Sequence, residues 1–256
     1  MISVNAVGKR YDRLVALEGI DLQIAAGELV CLLGPSGCGK STLLNIIAGF
    51  VPPTSGSVVC GGRAVTAPGP DRAMVFQEYA LFPWMTVAQN VAFGLEIQGA
   101  AGIEATVAAL LGKLSLGEFR DRFPKDLSGG MRQRVAIARA LAIDSPVLLM
   151  DEPFGALDAL TRRSLQAELL RLWSELRKTI VFVTHGIEES LLLADRVVVM
   201  TYRPGTVKRV VPVALPRPRD PGSPEFNRLE AELTALVMEE EERHQADERG
   251  DVRPLL

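Results

Sequence analysis

The most informative absence in this 256-residue sequence is that of a long apolar run. Runs such as Leu29–Leu33, Val147–Met150 and Val197–Met200 have the length of a β-strand. A membrane-spanning helix needs about 20 consecutive apolar residues, so the sequence predicts no bilayer span. The first residues, Met1 to Asn5, also lack the charged, apolar and small-residue pattern of a secretion signal, and we therefore expect no export.

Cysteine and surplus positive charge are also scarce. The three cysteines, Cys31, Cys38 and Cys60, are an odd number without the spacing of metal ligands, which indicates a reduced, cytosolic compartment. The 28 Lys and Arg residues face 31 Asp and Glu residues, so the net charge is −3. This balance excludes binding driven by charge to a nucleic acid, and we expect no nucleic-acid partner. The remaining composition, 48% hydrophobic and 23% charged, is that of a globular protein.

Strand-like and helix-like segments alternate along the chain, which predicts an α/β fold with a largely parallel sheet. The chain up to Val75 has the pattern of strands, and apolar residues at helical spacing follow between Glu78 and Ala142. Strand patterns return at Val147–Met150, Thr179–Val183 and Arg196–Met200. The helical stretch is therefore predicted to be an insertion into an α/β domain.

The C-terminal part of the sequence has a different composition. The segment from Pro212 to Pro224 contains five prolines, which predicts an extended connector. Apolar residues at helical spacing from Phe226 to Val237, followed by the charged run Glu239–Glu248, predict one amphipathic helix with a solvated tail. The helix either packs on its own domain, which is the commoner role, or acts as a regulatory or docking extension.

Residues Gly34 to Ser41 match the pattern Gly-x-x-x-x-Gly-Lys-Ser between an apolar strand and a helix, which is typical of a P-loop. In such a loop the backbone N–H groups point at phosphate oxygens, and the helix N-terminus adds positive charge. We expect Lys40 to reach the β- and γ-phosphates, Ser41 to bind Mg²⁺, and Thr42 to contact phosphate. The predicted nucleotide-binding residues are Gly34, Pro35, Ser36, Gly37, Cys38, Gly39, Lys40, Ser41 and Thr42. Cys38 is either an alkylatable thiol in the cradle or a small residue that faces the sheet.

A second, acidic motif supports a nucleotide site. The apolar strand Val147–Met150 is followed by Asp151, at the carboxyl end where open α/β sheets bind ligands, and we expect Asp151 to hold Mg²⁺. Alternation along the strand predicts that Glu152 turns away from Asp151 toward an attacking water. Glu152 is thus the predicted general base of a hydrolysis reaction.

The segment Leu127-Ser128-Gly129-Gly130-Met131-Arg132-Gln133-Arg134 closely resembles the signature of ATP-binding cassette (ABC) proteins. Other motifs of that family occur in the expected order between residues 2 and 215. Gln77 is similar to the Q-loop glutamine, Asp158 ends a segment similar to the D-loop, and His185 is similar to the switch histidine. Tyr11 is similar to the aromatic residue that stacks on adenine. The sequence departs from the family pattern at Met131, where Gln is commoner, and at Gly186, where Asp is usual.

This resemblance implies an α/β P-loop NTPase (RecA-like) core with an N-terminal antiparallel β subdomain and an inserted helical subdomain. The implied parts are a nucleotide-binding core of residues 1–77 and 143–215, a helical signature subdomain of residues 78–142, and a C-terminal helical extension of residues 216–256. The implied cofactors are ATP and Mg²⁺. The implied metal-binding residues are Ser41, Gln77 and Asp151, and the implied catalytic residues are Glu152, His185 and Gln77.

One P-loop and one signature in the chain imply a head-to-tail homodimer with two ATP molecules at its interface. In this family the signature residues, here Ser128, Gly129 and Gly130 with Asp158, bind the nucleotide held by the other subunit's P-loop. ATP contacts both halves only when the pair is closed, so binding closes the dimer and hydrolysis opens it.

The aromatic segment Tyr79–Val87 follows Gln77, in a region where transporter ATPases receive a helix of the membrane subunit. Packing within the helical insertion is an equally good interpretation for Leu81 and Phe82, whereas Tyr79 and Trp84 favour an interface. Phe82–Val87 and Arg203-Pro204-Gly205 resemble the importer branch that serves nitrate, aliphatic sulfonates and taurine.

The resemblance therefore implies an ATPase that energises import of a small anionic solute through separate integral-membrane permease subunits. A substrate-binding protein is its indirect partner, and its implied location is peripheral, on the cytoplasmic face of the inner membrane. The alternative is a soluble, non-transport ABC ATPase of DNA repair or translation, although such chains usually carry two cassettes or basic linkers. A GTPase is excluded because the sequence has no Asn-Lys-x-Asp selector for guanine.

Overall fold

The computed structural model describes residues 1–249, which form two compact units. Unit 1 comprises Met1–Pro68 and the chain from Thr179 onward, and unit 2 comprises Gly69–Lys178. This division by compactness does not test the three functional parts expected above, which stay predictions. Residues 250–256 of the predicted C-terminal extension lie outside the described residues.

Strands and helices alternate as the sequence predicts. The strands are β1 (Ile2–Tyr11), β2 (Leu14–Ile24), β3 (Leu29–Leu33), β4 (Ser55–Cys60), β5 (Arg63–Ala64), β6 (Arg72–Val75), β7 (Val147–Asp151), β8 (Thr179–Thr184), β9 (Arg196–Met200) and β10 (Val207–Pro212). The α-helices are α1 (Lys40–Ala48), α2 (Val87–Ile97), α3 (Ile103–Lys113), α4 (Gly129–Ala142), α5 (Ala159–Leu176), α6 (Ile187–Leu193) and α7 (Pro224–Glu248).

Unit 1 contains the predicted N-terminal antiparallel sheet, with strand order β2-β1-β4-β5. Along β2, the buried side chains of Ile20, Leu22 and Ile24 alternate with the exposed Asp21 and Gln23. One face of this sheet is therefore packed and the other is solvated, as is usual for antiparallel sheets.

The other sheet strands of unit 1 are arranged in the order β10-β9-β3-β8. Strand β3 is parallel to both β8 and β9, and β10 joins β9 antiparallel. Every residue of β3 and of β8 is buried, which explains why both read as continuous apolar runs. Leu33 pairs with Thr184, so the chain leaves β3 and β8 at the same edge, the carboxyl edge of the parallel strands.

Helix α7 confirms the amphipathic helix predicted from Phe226 to Val237, and it also includes the charged run that the sequence predicts as a solvated tail. Ser223 caps the helix by accepting the N–H of Phe226 at 3.3 Å, and the helix continues through the charged run to Glu248. Within that run Glu240 is fully buried. Between residues 239 and 247 the other side chains are exposed or half-buried, so the predicted solvation fails at Glu240, whose partners Tyr202 and Lys208 are distant in the chain.

Unit 2 combines a parallel strand pair with four α-helices. Strands β6 and β7 are parallel, with Val75 opposite Met150. Helix α2 begins at a capping box, in which Thr86 and Gln89 exchange hydrogen bonds between side chain and backbone. The helices predicted at Val87–Leu95 and Ile103–Leu111 are confirmed as α2 and α3. In residues 1–249 no helix combines the length and the apolar character needed to span a bilayer.

Candidate nucleotide-binding site

The P-loop of unit 1 connects β3 to α1 in a backbone conformation that requires glycine. Gly37 and Gly39 have φ values of 74° and 95°, in the left-handed region. A Cβ on Gly39 would lie 2.6 Å from Leu17 Cδ2 and 3.0 Å from the Ala16 carbonyl oxygen. The loop is therefore tightly curved and closely packed from behind, as the pattern Gly-x-x-x-x-Gly predicts.

Lys40 carries a buried positive charge at the start of α1. Its side chain is 6% exposed, and Nζ donates to the carbonyl oxygens of Gly34 at 2.7 Å and Pro35 at 2.8 Å. Within residues 1–249 the Lys40 ammonium forms no salt bridge with a carboxylate. A buried charge without a counter-ion is costly, so this position favours an anionic ligand.

The N-terminus of α1 adds hydrogen-bond donors to this charge. The cap residue is Gly39, so no side chain caps the helix. The first N–H groups of a helix have no intrahelical acceptor, and the helix dipole adds partial positive charge there. Backbone donors, a helix N-terminus and a buried ammonium group together fit the phosphates of a nucleotide.

Cys38 is fully buried, and burial raises the pKa of its thiol. A buried thiol with a raised pKa is a poor nucleophile. The structure therefore favours the small packing residue over the alkylatable thiol.

His185 lies at the same sheet edge as the P-loop, one residue beyond β8, and it is exposed. The neighbouring Gly186 has φ −86° and is the N-cap residue of α6, so the family's usual Asp would meet no backbone strain there. Tyr11 ends β1 with 44% of its surface exposed, and Lys9 Nζ lies 4.9 Å from its ring centroid.

Unit 2 brings Gln77, Asp151 and Glu152 to one end of its strand pair. Val75 and Met150 are paired at the carboxyl ends of β6 and β7, so Gln77 and Asp151 follow at the same edge. Asp151 is the last residue of β7, as predicted. Glu152 has φ 43° and lies beyond the end of β7, so strand alternation does not apply to it, and its direction toward an attacking water stays a prediction. Positive φ at a glutamate is uncommon, and such strain is often found at functional sites.

The signature residues of unit 2 form the N-terminus of α4. Ser128 is the cap, and its Oγ accepts the N–H of Met131 at 3.3 Å. Gly129 and Gly130 make the first helical turn, where backbone N–H groups have no intrahelical acceptor. This arrangement suits an anion. A Cβ on Gly130 would lie 2.5 Å from Thr161 Cγ2, at the start of α5.

Asp158 caps α5 in the same unit. Its Oδ1 accepts the N–H of Leu160 at 3.1 Å and that of Thr161 at 3.0 Å. These bonds, chiefly that from Thr161, hold the pKa of the Asp158 carboxyl below its ordinary value. Asp158 therefore caps α5 and fixes the start of that helix. The sequence predicts a contact with nucleotide for this residue but not this capping role.

The aromatic segment after Gln77 divides into a packed and an exposed part. The ring of Phe82 lies 4.6 Å from that of Phe93 and 5.7 Å from that of Trp84. Trp84 itself is 70% exposed. The packing interpretation therefore fits Phe82, whereas Trp84 remains available to a partner.

Sequence reasoning missed two residues that shape this segment. Asn90, fully buried in α2, accepts the N–H of Phe82 and donates to the carbonyl oxygens of Phe82, Met85 and Thr86. Arg139, on the signature helix α4, donates to the carbonyl oxygens of Tyr79 and Ala80, both in the left-handed conformation. Burial lowers the pKa of Arg139. The helical spacing of apolar residues in α4 indicates which face is buried, but it does not indicate a role for Arg139. A polar residue such as Asn90 in α2 is usually predicted to face solvent.

The strand–loop–helix geometry and the buried lysine define a P-loop nucleotide-binding protein. Similarity to known proteins narrows this class. The sequence model of the ABC transporter family matches residues 17–155. The taurine import ATP-binding protein of Roseobacter denitrificans is 49% identical over 215 residues, covering 81% of this chain and 80% of that protein. The nitrate import ATP-binding protein of Synechocystis is 47% identical over 242 residues, covering 90% and 91%.

A further relative is the bicarbonate transport ATP-binding protein of Synechocystis, which is 48% identical over 209 residues, 80% of this chain and 74% of that protein. Among solved structures, a dimeric bacterial ABC transporter cassette aligns with a TM-score of 0.74 at 35% identity, covering 84% of this chain and all of that one. The chain belongs to the ABC transporter family and is an ATP-binding cassette ATPase of that family.

Proposed function

We propose that this protein hydrolyses ATP, with Mg²⁺, to drive import of a small anionic solute through separate permease subunits. The observation that carries the nucleotide part is Lys40, which is buried at the N-terminus of α1 with carbonyl partners and, among residues 1–249, without a carboxylate partner. Such a charge is matched when phosphate binds.

We assign the metal and the chemistry to side chains in the first turn of α1 and in the segments that follow β6, β7 and β8. Mg²⁺ is held by few protein ligands together with phosphates and water, and the proposed ligands are Ser41, Gln77 and Asp151. Glu152 is the proposed general base, and His185 the proposed contact to the γ-phosphate. Tyr11 is the proposed stacking partner of adenine.

We also propose a head-to-tail homodimer, in which the N-terminus of α4 binds the ATP held by the partner subunit's P-loop. The uncharged start of that helix, with Ser128, Gly129 and Gly130, supports this role. The dimeric state of the similar bacterial cassette also supports it. Each active site would then need two chains.

The importer assignment rests on the relatives named for taurine, nitrate and bicarbonate, three small solutes that carry an anionic group. The exposed Trp84 supports a membrane partner, because an exposed indole is a common anchor of protein interfaces. The proposed location is thus the cytoplasmic face of the inner membrane, with a substrate-binding protein as an indirect partner. The non-transport alternative gains no support from these relatives.

The test is the variant Glu152→Gln, which keeps the shape of the side chain but removes a base. Loss of a general base lowers the hydrolysis rate by about 10²–10⁴-fold. We expect MgATP binding to persist and an ATP-bound dimer to accumulate, measured by phosphate release, nucleotide titration and light scattering. The matched control Glu118→Gln, at an exposed carboxylate of unit 2, should keep the wild-type rate.

Three results would count against the proposal. A monomer at saturating MgATP contradicts the composite site, and an unchanged rate in Glu152→Gln contradicts the base. Tagged protein recovered from membranes of its own source should retain an integral-membrane permease. Recovery without any membrane protein contradicts the importer assignment.

A further inference from the structure

The turn between β9 and β10 lies directly behind the P-loop in unit 1. Arg203 Nε donates to the carbonyl oxygen of Gly37 at 3.3 Å. Two residues later, a Cβ on Gly205 would lie 2.2 Å from the carbonyl oxygen of Cys38, and the Gly205 N–H donates to Ala16 at 3.0 Å. The turn therefore contacts two consecutive carbonyl groups of the loop.

These contacts bear on the direction of the loop's N–H groups. In a trans peptide the C=O and N–H groups point in opposite directions. A donor on the Gly37 oxygen therefore directs the Cys38 N–H to the other side, where it lies 3.4 Å from the Pro35 carbonyl oxygen inside the loop. Gly37, which adopts φ 74° here, lacks a Cβ and can adopt many backbone conformations, so a contact is needed to select one orientation of its peptide.

Arg203 is itself held by its neighbour. Its guanidinium carbon lies 5.5 Å from the ring centroid of Tyr202. Tyr202 is buried, its N–H donates to Glu240 Oε2 at 2.9 Å, and its hydroxyl donates to Asp247 Oδ2 at 3.0 Å. The ring that supports Arg203 is thus fixed by α7.

The attachment of α7 is firm because Glu240 is fully buried and well paired. Besides the Tyr202 N–H, Glu240 accepts from Lys208 Nζ at 2.7 Å and from Arg243 Nη1 at 3.3 Å. A buried carboxylate with several charged donors tolerates little displacement, since a broken partner leaves an unpaired charge.

We propose that Arg203 is a positioning residue for ATP binding: supported by the Tyr202 ring and through it by α7, it fixes the Gly37 peptide of the P-loop. The C-terminal helix then contributes to nucleotide affinity from a distance. This inference rests on the proposed function only in that the P-loop must bind MgATP.

The test compares the MgATP dissociation constants of full-length variants by titration with a fluorescent ATP analogue and competition with ATP. Loss of one net hydrogen bond in Arg203→Ala should weaken binding about 3- to 10-fold. We expect KM to rise by the same factor while kcat stays within about twofold, because Arg203 acts before the chemical step. Arg203→Lys keeps a cation over the ring and should restore part of the affinity.

Tyr202→Leu removes the ring and should weaken binding more than Tyr202→Phe, which keeps it. Arg209→Ala is the matched control, since Arg209 lies on β10 and pairs with Glu232 at 3.5 Å, away from the turn. Thermal unfolding of each variant separates loss of affinity from loss of folding. Wild-type affinity in Arg203→Ala, or an equal loss in Arg209→Ala, overturns the inference. Failure of the wild-type chain to bind MgATP would instead overturn the proposed function.

Discussion

The buried charge of Lys40 allows a quantitative prediction, because a second buried lysine provides a control. Lys40 is 6% exposed and donates to two carbonyl oxygens. Lys178, in unit 2, is 8% exposed and donates to Asp144 Oδ1 and to the Ser145 carbonyl oxygen, both at 2.7 Å. The two side chains are thus similar in burial and in hydrogen bonds, but Lys178 already has a carboxylate partner. Replacement by Met keeps most of the side-chain volume and removes the charge in each case.

The decisive difference between the two variants should be their response to nucleotide. A hydrogen bond to a charged group contributes about 1.5–3 kcal/mol, so the loss of one strong contact between Lys40 and phosphate weakens ATP binding about 100-fold. At a ligand concentration of about 100 times the wild-type dissociation constant, binding stabilises the wild-type chain by about 2.7 kcal/mol. The same concentration would stabilise Lys40→Met by about 0.4 kcal/mol.

Thermal unfolding with and without MgATP measures this difference. For a chain of this size, about 1 kcal/mol moves Tm by about 2–4 °C, so an ATP-dependent shift of about 5–11 °C in the wild type should fall to about 1–2 °C in Lys40→Met. Lys178→Met should have a lower Tm without nucleotide but keep the full ATP-dependent shift. A full shift in Lys40→Met, or its loss in Lys178→Met, would refute the assignment of Lys40 to phosphate.

Two further predictions concern the surface and the connector. Trp84→Ala should reduce co-purification with a permease while ATP hydrolysis stays unchanged. The control Leu160→Ala, at another exposed apolar residue of unit 2, should change neither. Intact assembly of Trp84→Ala with the permease would favour packing within the unit. Arg219 is buried and donates to the carbonyl oxygens of Leu191, Ala194, Val213 and Leu215, and burial lowers its pKa to about 10, so it stays charged at neutral pH. Arg219→Met should therefore destabilise the chain by about 2–4 kcal/mol in urea unfolding, and a change below about 0.5 kcal/mol would contradict this role.

The sequence predicts well those elements whose pattern is contained in a few consecutive residues. Strands β3 and β8 are buried throughout, so each appears as an uninterrupted apolar run with clear ends. The P-loop was predictable because its glycines, lysine and helix are consecutive in the chain. The signature segment was recognised for the same reason.

Features that depend on distant partners were not predictable from local pattern. The charged run after Glu239 reads as solvated, yet Glu240 is buried because Lys208 of β10 neutralises it. The direction of Glu152 followed from assumed strand geometry, which ends one residue earlier. Arg139 and Arg203 each donate to loop carbonyl oxygens more than 50 positions away in the chain. The spacing of residues in the sequence does not predict such long-range contacts.

Lys40 and Glu240 show how a buried charge that serves a ligand differs from one that serves the fold. Both are nearly or fully removed from solvent. Glu240 accepts hydrogen bonds from a lysine, an arginine and a backbone N–H, so its charge is balanced within the chain. Lys40 donates to two neutral carbonyl oxygens and, within the described residues, forms no salt bridge with a carboxylate. Because an unbalanced buried charge costs free energy in the free protein, its persistence at a helix N-terminus is explained when the missing negative charge arrives with the nucleotide. Phosphate binding then completes the electrostatics of the loop, and this couples its stability to ATP.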